Sequence, residues 1–252
     1  MSQDMEWLLK EKYGGEKSEA FFADCKKMAL GEPLGYLIGH VPFLDTTIYL
    51  DSRPLVPRSE TEFWTEHAIN VIKDGNTPSL GFTDNPPRVL DLCAGSGCIG
   101  VAVAKVIPTA HVDFSEIEAR HIPTIKKNLE KNGIKPDRTD IFQTNLFQGL
   151  SGQYDYILAN PPYVDADLHR VDDSVVDFEP HLALFGGKQG VEIIAQIIVA
   201  APAFLTPHGQ LWIEHEPEQT TLIASLAADN GFSCTTRPDQ YEVERYSILV
   251  LQ

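Results

Sequence analysis

The run Tyr154-Asp155-Tyr156-Ile157-Leu158-Ala159 is mostly apolar and stops abruptly at Asn160-Pro161-Pro162-Tyr163. A strand that is apolar on both alternating faces belongs inside a sheet covered on both sides, as parallel sheets flanked by helices are. Pro161 and Pro162 have no N–H to give a ladder and hold the backbone extended. The strand therefore ends at Ala159. Asn160 stands at its carboxyl edge, with a stiff turn behind it and an aromatic ring at the tip. In open α/β sheets, ligands bind at that edge.

The flanking sequence supplies the rest of such a sheet. Strands fit at 88–92, 110–115, 138–142, 154–159, 209–214, 232–237 and 246–251, and helices at 97–106, 119–131, 189–204 and 218–230. This alternation predicts an α/β, Rossmann-like, doubly wound and mostly parallel sheet over residues 88–252. Residues 1–73 read as a small N-terminal helical and hairpin region. Apolar stripes at helical spacing (Trp7, Leu8 and Leu9, then Phe21, Phe22, Cys25 and Met28) are broken at Gly14-Gly15. Ile48-Tyr49-Leu50 and Leu55-Val56 read as hairpin strands. Ser59 with Glu62 three residues on is a capping box opening a helix from Glu60 to about Lys73. Arg58 just before it reads as a partner for a carboxylate. Residues 74–87, rich in Gly, Asn and Pro, read as a linker.

The 252 residues carry a net charge of −16, which argues against a duplex as partner, since phosphate binding needs a basic face. No apolar run reaches the roughly 18 residues of a membrane span. The first residues lack a signal-like apolar core, so a cytoplasmic location is expected. Cys25, Cys93, Cys98 and Cys234 form no C-x-x-C pair, and the eight histidines have no metal-ligand spacing. Reduced thiols and no metal site are expected.

Arg88 to Gly100 reads strand, glycine loop, helix. Gly95 and Gly97 allow close approach to the backbone ahead of a helix N-terminus. Gly95, Gly97 and Gly100 also satisfy the dinucleotide fingerprint, but that match alone is weak. Asp91 ends the strand, and three residues, Leu92 to Ala94, separate it from Gly95. A carboxylate there repels a pyrophosphate and suits a cationic amino group. Glu116, near the end of the next strand, is placed to accept from two ribose hydroxyls, with Asp113 as a competitor. Asn145 and Leu146 follow the third strand, where an adenine would lie. The ligand with an amine, a ribose and an adenine but no phosphate is S-adenosylmethionine. Opposite this loop, the Asn160 side-chain oxygen and the Pro161 carbonyl are two acceptors suited to a planar NH2 group, with Tyr163 to cover its face.

These residues carry a resemblance. Leu90-Asp91-Leu92-Cys93-Ala94-Gly95-Ser96-Gly97 resembles the first motif of class I S-adenosylmethionine-dependent methyltransferases. Asn160-Pro161-Pro162-Tyr163 resembles the turn of those that methylate planar amino groups. Gly31 to Tyr36 with Gly39 and Phe43, Leu55 to Glu62, Phe178-Glu179-Pro180, Glu214-His215 and Glu244-Arg245 are similar to the HemK/PrmC family of bacterial release factor glutamine methyltransferases. The resemblance runs from about residue 31 to the end. It departs from the family at Cys93, where a glycine is usual, at Asn145, where an aspartate is usual, and in a shorter N-terminal segment.

The resemblance implies methyl transfer to a glutamine side-chain amide of a peptide chain release factor. It implies Cys93 to Gly97 as cofactor loop, Glu116 on the ribose, Asn145 and Leu146 near the adenine, and Asn160 to Tyr163 on the glutamine amide. Asn160 would touch both cofactor and substrate. The alternatives are a glutamine of a large-subunit ribosomal protein, an adenine in DNA, or a cofactor-binding scaffold without catalysis.

Overall fold

A computed structural model of the chain describes residues 2–75, 86–168 and 173–252. Two N-terminal helices, α1 (Gln3–Glu11) and α2 (Glu19–Ala29), are separated at the Gly14-Gly15 break, and α3 (Leu34–Ile38) follows. Ser2 and Ser18 cap the first two by accepting from the N–H groups of Met5 and Phe21. These helices close over their own apolar cluster of Leu8, Phe21 and Leu37. Asp24 adds a polar tie, accepting from Lys12, Lys27 and Tyr13.

The hairpin lies earlier than the sequence reading placed it. It comprises β1 (His40–Phe43) and β2 (Thr46–Tyr49), while Leu55-Val56 is not a strand. The physical reason is local: Pro54 and Pro57 bracket that dipeptide, and the Val56 N–H is taken by the Glu179 carboxylate instead of a ladder. The helix α4 (Ser59–Gly75) forms as expected but without the reciprocal capping box. Ser59 Oγ donates to Glu60, and the Glu62 carboxylate accepts from the Leu44 N–H in the hairpin turn. Asp74 and Gly75 belong to α4; most of the expected linker lies outside the described residues.

The remaining elements are β3 (Arg88–Leu92), α5 (Cys98–Val106), β4 (His111–Glu116), α6 (Ile122–Lys131), β5 (Thr139–Gln143), β6 (Tyr154–Ala159), α7 (Asp173–Phe178), α8 (His181–Leu184), α9 (Glu192–Ala200), β7 (Leu205–Glu214), α10 (Thr220–Asp229), β8 (Phe232–Pro238) and β9 (Glu244–Leu251). The seven strands of the main sheet run in the order β5-β4-β3-β6-β7-β9-β8. β9 runs antiparallel to both neighbours, and the other pairings are parallel.

The two faces of the sheet have separate cores. One holds Val89, Leu158 and Trp212 with Trp64 of α4 and Val101 of α5. The other holds Leu90, Ile157 and Ile213 with Ile194 and Ile198 of α9 and Ile223 of α10. The hairpin joins the first face through α6. Asn128 and Asn132, one helical turn apart, exchange hydrogen bonds with the backbone of Tyr49 and Thr47. Side-chain amides thus replace a missing strand at the edge of β2.

Candidate active site

The order reverses between β3 and β6, where a crevice opens at the carboxyl ends of the strands. Leu92 pairs with Ala159, so Cys93 and Asn160 leave the sheet side by side. The loop after β3 climbs through left-handed conformations at Cys93 (φ 62°), Gly95 (φ 55°) and Gly97 (φ 78°). A Cβ on Gly95 would meet nothing closer than Pro54 at 4.0 Å, so this backbone faces open space. Gly100 has a different duty: a Cβ there would lie 2.3 Å from the Phe114 ring, so glycine lets α5 pack onto β4. Asn128 fixes the loop from behind, donating to the Ser96 carbonyl at 2.8 Å.

Glu116 ends β4 inside the crevice and is 5% exposed. Its Oε2 accepts from the Gly95 N–H at 2.7 Å and its Oε1 from the Glu118 N–H at 2.8 Å. Each oxygen keeps lone-pair capacity for another donor. After β5, Leu146 is also left-handed (φ 50°), and its carbonyl accepts from Ser115 Oγ at 2.6 Å. Non-glycine residues at positive φ cost free energy and collect at functional sites; Cys93 and Leu146 are two such residues, and both line this crevice.

One cavity is lined by Cys93, Gly95, Glu116, Asn145, Leu146, Asn160 and Pro162, with Glu118, His121 and Phe185 beside them. Seven of the residues singled out in the sequence therefore come together. Ala94 and Ser96 are buried in the body of the loop, and Gly97 opens α5. Asp91 lies behind the loop and does not line the cavity. Its Oδ2 accepts from the Gly100 N–H at 2.8 Å. Burial, reinforced by the charge of Glu116, pushes its carboxyl up to about 8. Asp113, the competitor for the ribose, is occupied elsewhere, accepting from Arg88 and Tyr154 at 2.9 Å each. Burial raises the Cys93 thiol well above its ordinary range, so it is a neutral wall of the cavity.

A second cavity adjoins the first. It is lined by Leu55, Arg58, Asn160, Tyr163, Leu184 and Glu216 among others. Asn160, Leu55 and Ala183 stand in the wall of both. Arg58 pairs with Glu179, whose side chain is 1% exposed, as the sequence reading expected of a carboxylate partner. This ion pair joins the start of α4 to the segment before α8.

The turn after β6 is held at both ends, at Asn160 and at Tyr163. Tyr163 Oη donates to Glu214 Oε1 at 2.8 Å, and burial raises its phenol far above the ordinary range. Gln219 Nε2 donates to the Tyr163 carbonyl at 2.8 Å. Gly190 lies so close that a Cβ would stand 1.9 Å from that carbonyl. Asn160 Nδ2 donates to Thr61 Oγ1 at 3.0 Å, and Thr61 Oγ1 to Glu214 Oε2 at 2.7 Å. The sequence reading missed His121, Gly190 and Gln219. Thr61 and Glu214 were quoted only as parts of motifs.

The strand order and the glycine loop at the switch point define a class I methyltransferase. A family model described as the methyltransferase small domain matches residues 81–177. The fold is similar to that of a ribosomal protein L11 methylase from Lactobacillus delbrueckii subsp. bulgaricus, with a TM-score of 0.55 at 17% identity, covering 79% of this chain and 81% of that one.

Among curated sequences, this chain is 35% identical over 220 residues to a release factor glutamine methyltransferase of Rhodopirellula baltica, 86% of this chain and 72% of the relative. It is 31% identical over 260 residues to that of Geobacter sulfurreducens, 96% and 87% respectively. A ribosomal protein uL3 glutamine methyltransferase of Neisseria gonorrhoeae is 32% identical over 199 residues, 79% of this chain and 64% of the relative. The chain belongs to the release factor glutamine methyltransferase family.

Proposed function

We propose that this enzyme transfers a methyl group from S-adenosylmethionine to the side-chain amide nitrogen of a glutamine in a peptide chain release factor. The observation that carries the reading is the position of Asn160, in the wall shared by the two cavities. A residue there touches a cofactor on one side and a substrate side chain on the other.

The first cavity suits the cofactor. Glu116 and Glu118 make it acidic, which favours a cationic sulfonium and amine and disfavours a pyrophosphate. Glu116 would accept from the ribose hydroxyls, Asn145 and Leu146 would flank the adenine, and Cys93 to Gly97 would pass under the methionine part. When bound, S-adenosylmethionine supplies an electrophilic methyl group. The chain does the rest by orientation. Asn160 Oδ1 and the Pro161 carbonyl accept from the two hydrogens of the glutamine NH2, and Tyr163, fixed through Glu214, walls the pocket. An amide nitrogen is a weak nucleophile because its lone pair is delocalised. Accepting from both hydrogens favours the charge that develops on it, and alignment with the methyl group supplies the remainder. As the N–CH3 bond formed, the S–CH3 bond would break with its electron pair leaving on S-adenosylhomocysteine, and one of the two amide protons would be lost to solvent; no metal or covalent intermediate enters.

The relatives support the release factor first, and the Neisseria relative supports a ribosomal protein glutamine as the second reading. The reading puts the enzyme in the cytoplasm with a protein partner. The test is incubation with labelled S-adenosylmethionine and either purified release factor or purified uL3, followed by mass mapping of the labelled peptide. Label on a release factor glutamine supports the proposal, label on uL3 alone selects the second reading, and label on neither counts against both.

A further inference from the structure

We infer that Thr61 and Glu214 are positioning residues that dictate which end of the Asn160 amide faces the substrate. The inference rests on the glutamine reaction proposed above and goes beyond it, because neither residue reaches the transferred methyl group.

Trp64 sets the direction of the hydrogen bonds. An indole N–H can only donate. Trp64 Nε1 lies 2.6 Å from Glu214 Oε2, so that oxygen accepts from the indole, and as a carboxylate it has no proton of its own to give to Thr61. Thr61 Oγ1 lies 2.7 Å from the same oxygen, so the single hydroxyl proton of Thr61 is committed to Glu214. Thr61 then has only lone pairs left for its other neighbour. That neighbour is the Asn160 side chain at 3.0 Å, which must donate, and only its NH2 end can. The oxygen of Asn160 is thereby turned away from Thr61. A side-chain amide has nearly the same shape either way round, so sterics alone would not decide this. The chain of donors decides it.

The surroundings make the relay stiff. Thr61 and Glu214 are each 1% exposed and Trp64 is fully buried. Tyr163 Oη binds the other carboxylate oxygen, so one buried group orients both Asn160 and Tyr163. Were Asn160 reversed, its NH2 would meet the NH2 of the glutamine, donor against donor, and the acceptor required for methyl transfer would be lost. Thr61 stands on the first turn of α4 and Glu214 at the carboxyl end of β7, so two distant segments set the chemistry of a third.

The test compares Thr61→Val, which keeps shape and loses the hydroxyl, with Thr61→Ser, which keeps the hydroxyl. The expected result is a kcat lower by about 10-fold to 100-fold in Thr61→Val, the scale of a misplaced catalytic group. The KM for release factor and the affinity for S-adenosylhomocysteine should stay near wild type, and Thr61→Ser should recover most of the turnover. Thermal melting checks that each variant folds. Wild-type kcat in a folded Thr61→Val would overturn the inference.

A second measurement needs no folded variant at position 61. In the nitrogen-15 spectrum of the wild-type protein, with Asn160→Asp used only to assign the signal, the Asn160 NH2 pair should exchange slowly with solvent. Rapid exchange would overturn the relay. Failure of the wild-type protein to methylate any glutamine substrate would count against the proposed function alone and leave this spectral test of the amide orientation in force.

Discussion

The Gly95 N–H and the Glu116 carboxylate meet at 2.7 Å, so the glycine loop and the end of the neighbouring strand are already joined. Glu116→Ala removes this link together with the acceptor proposed for the ribose. Hydrogen bonds to charged groups contribute about 1.5–3 kcal/mol, which is roughly tenfold to a hundredfold in affinity. Calorimetry with S-adenosylhomocysteine should show a loss in that range. Glu116→Gln, which keeps an acceptor, should lose less. Equal affinity in wild type and Glu116→Ala would remove Glu116 from the cofactor site.

Gly190 tests the support of the turn. Its φ is 67°, and a Cβ would stand 1.9 Å from the Tyr163 carbonyl. The left-handed conformation alone costs a non-glycine residue about 1–2 kcal/mol, and the contact forces backbone to move as well. Gly190→Ala should lower the melting temperature and reduce methyl transfer by more than it weakens cofactor binding. Unchanged turnover would mean that the placement of Pro161 and Tyr163 tolerates a shift.

Asp91 predicts a pH dependence of stability. Its folded-state pKa, near 8 because of burial, lies above the ordinary aspartate value of about 3.9. The folded state therefore holds this proton more tightly than the unfolded chain does. The stability that Asp91 contributes is complete below about pH 4 and is lost as pH rises through about 8. Asp91→Asn keeps an acceptor for the Gly100 N–H and does not titrate. Urea unfolding at about pH 5 and about pH 8 should shift the balance of stability towards the variant at the higher pH. A difference that is flat with pH would show that Asp91 is not held protonated by its surroundings.

Where the sequence could be read, it was because one short segment carried its own signal. The runs at 88–92 and 154–159 match β3 and β6 to the residue, since apolar side chains on both faces and a glycine or proline stop define a buried strand. The hairpin misled because Leu55-Val56 is apolar for a different reason: it lines the two cavities and the core beneath them, with its backbone tied to Glu179. Cys93, Gly95, Glu116, Leu146 and Asn160 were legible because each sits at or just after a strand end. Thr61 and Glu214 were not, because 153 residues separate two groups whose role exists only when they touch. Nor does anything near Gly190 reveal that the Tyr163 carbonyl will lie against it.

The central claim is that Asn160 performs the methyl transfer by accepting from the substrate amide, and Asn160→Ala tests it most directly. The substitution lies at a strand end, so the fold should survive. It should cost at least about 3 kcal/mol of transition-state stabilisation, comparable to losing one oxyanion-hole donor. The measurement is turnover on release factor set beside S-adenosylhomocysteine affinity for the same preparation. The account predicts a loss of turnover of two orders of magnitude or more, far beyond any loss of cofactor binding. Near-normal turnover in Asn160→Ala would contradict it and reduce Asn160-Pro161-Pro162-Tyr163 to a turn that ends a strand.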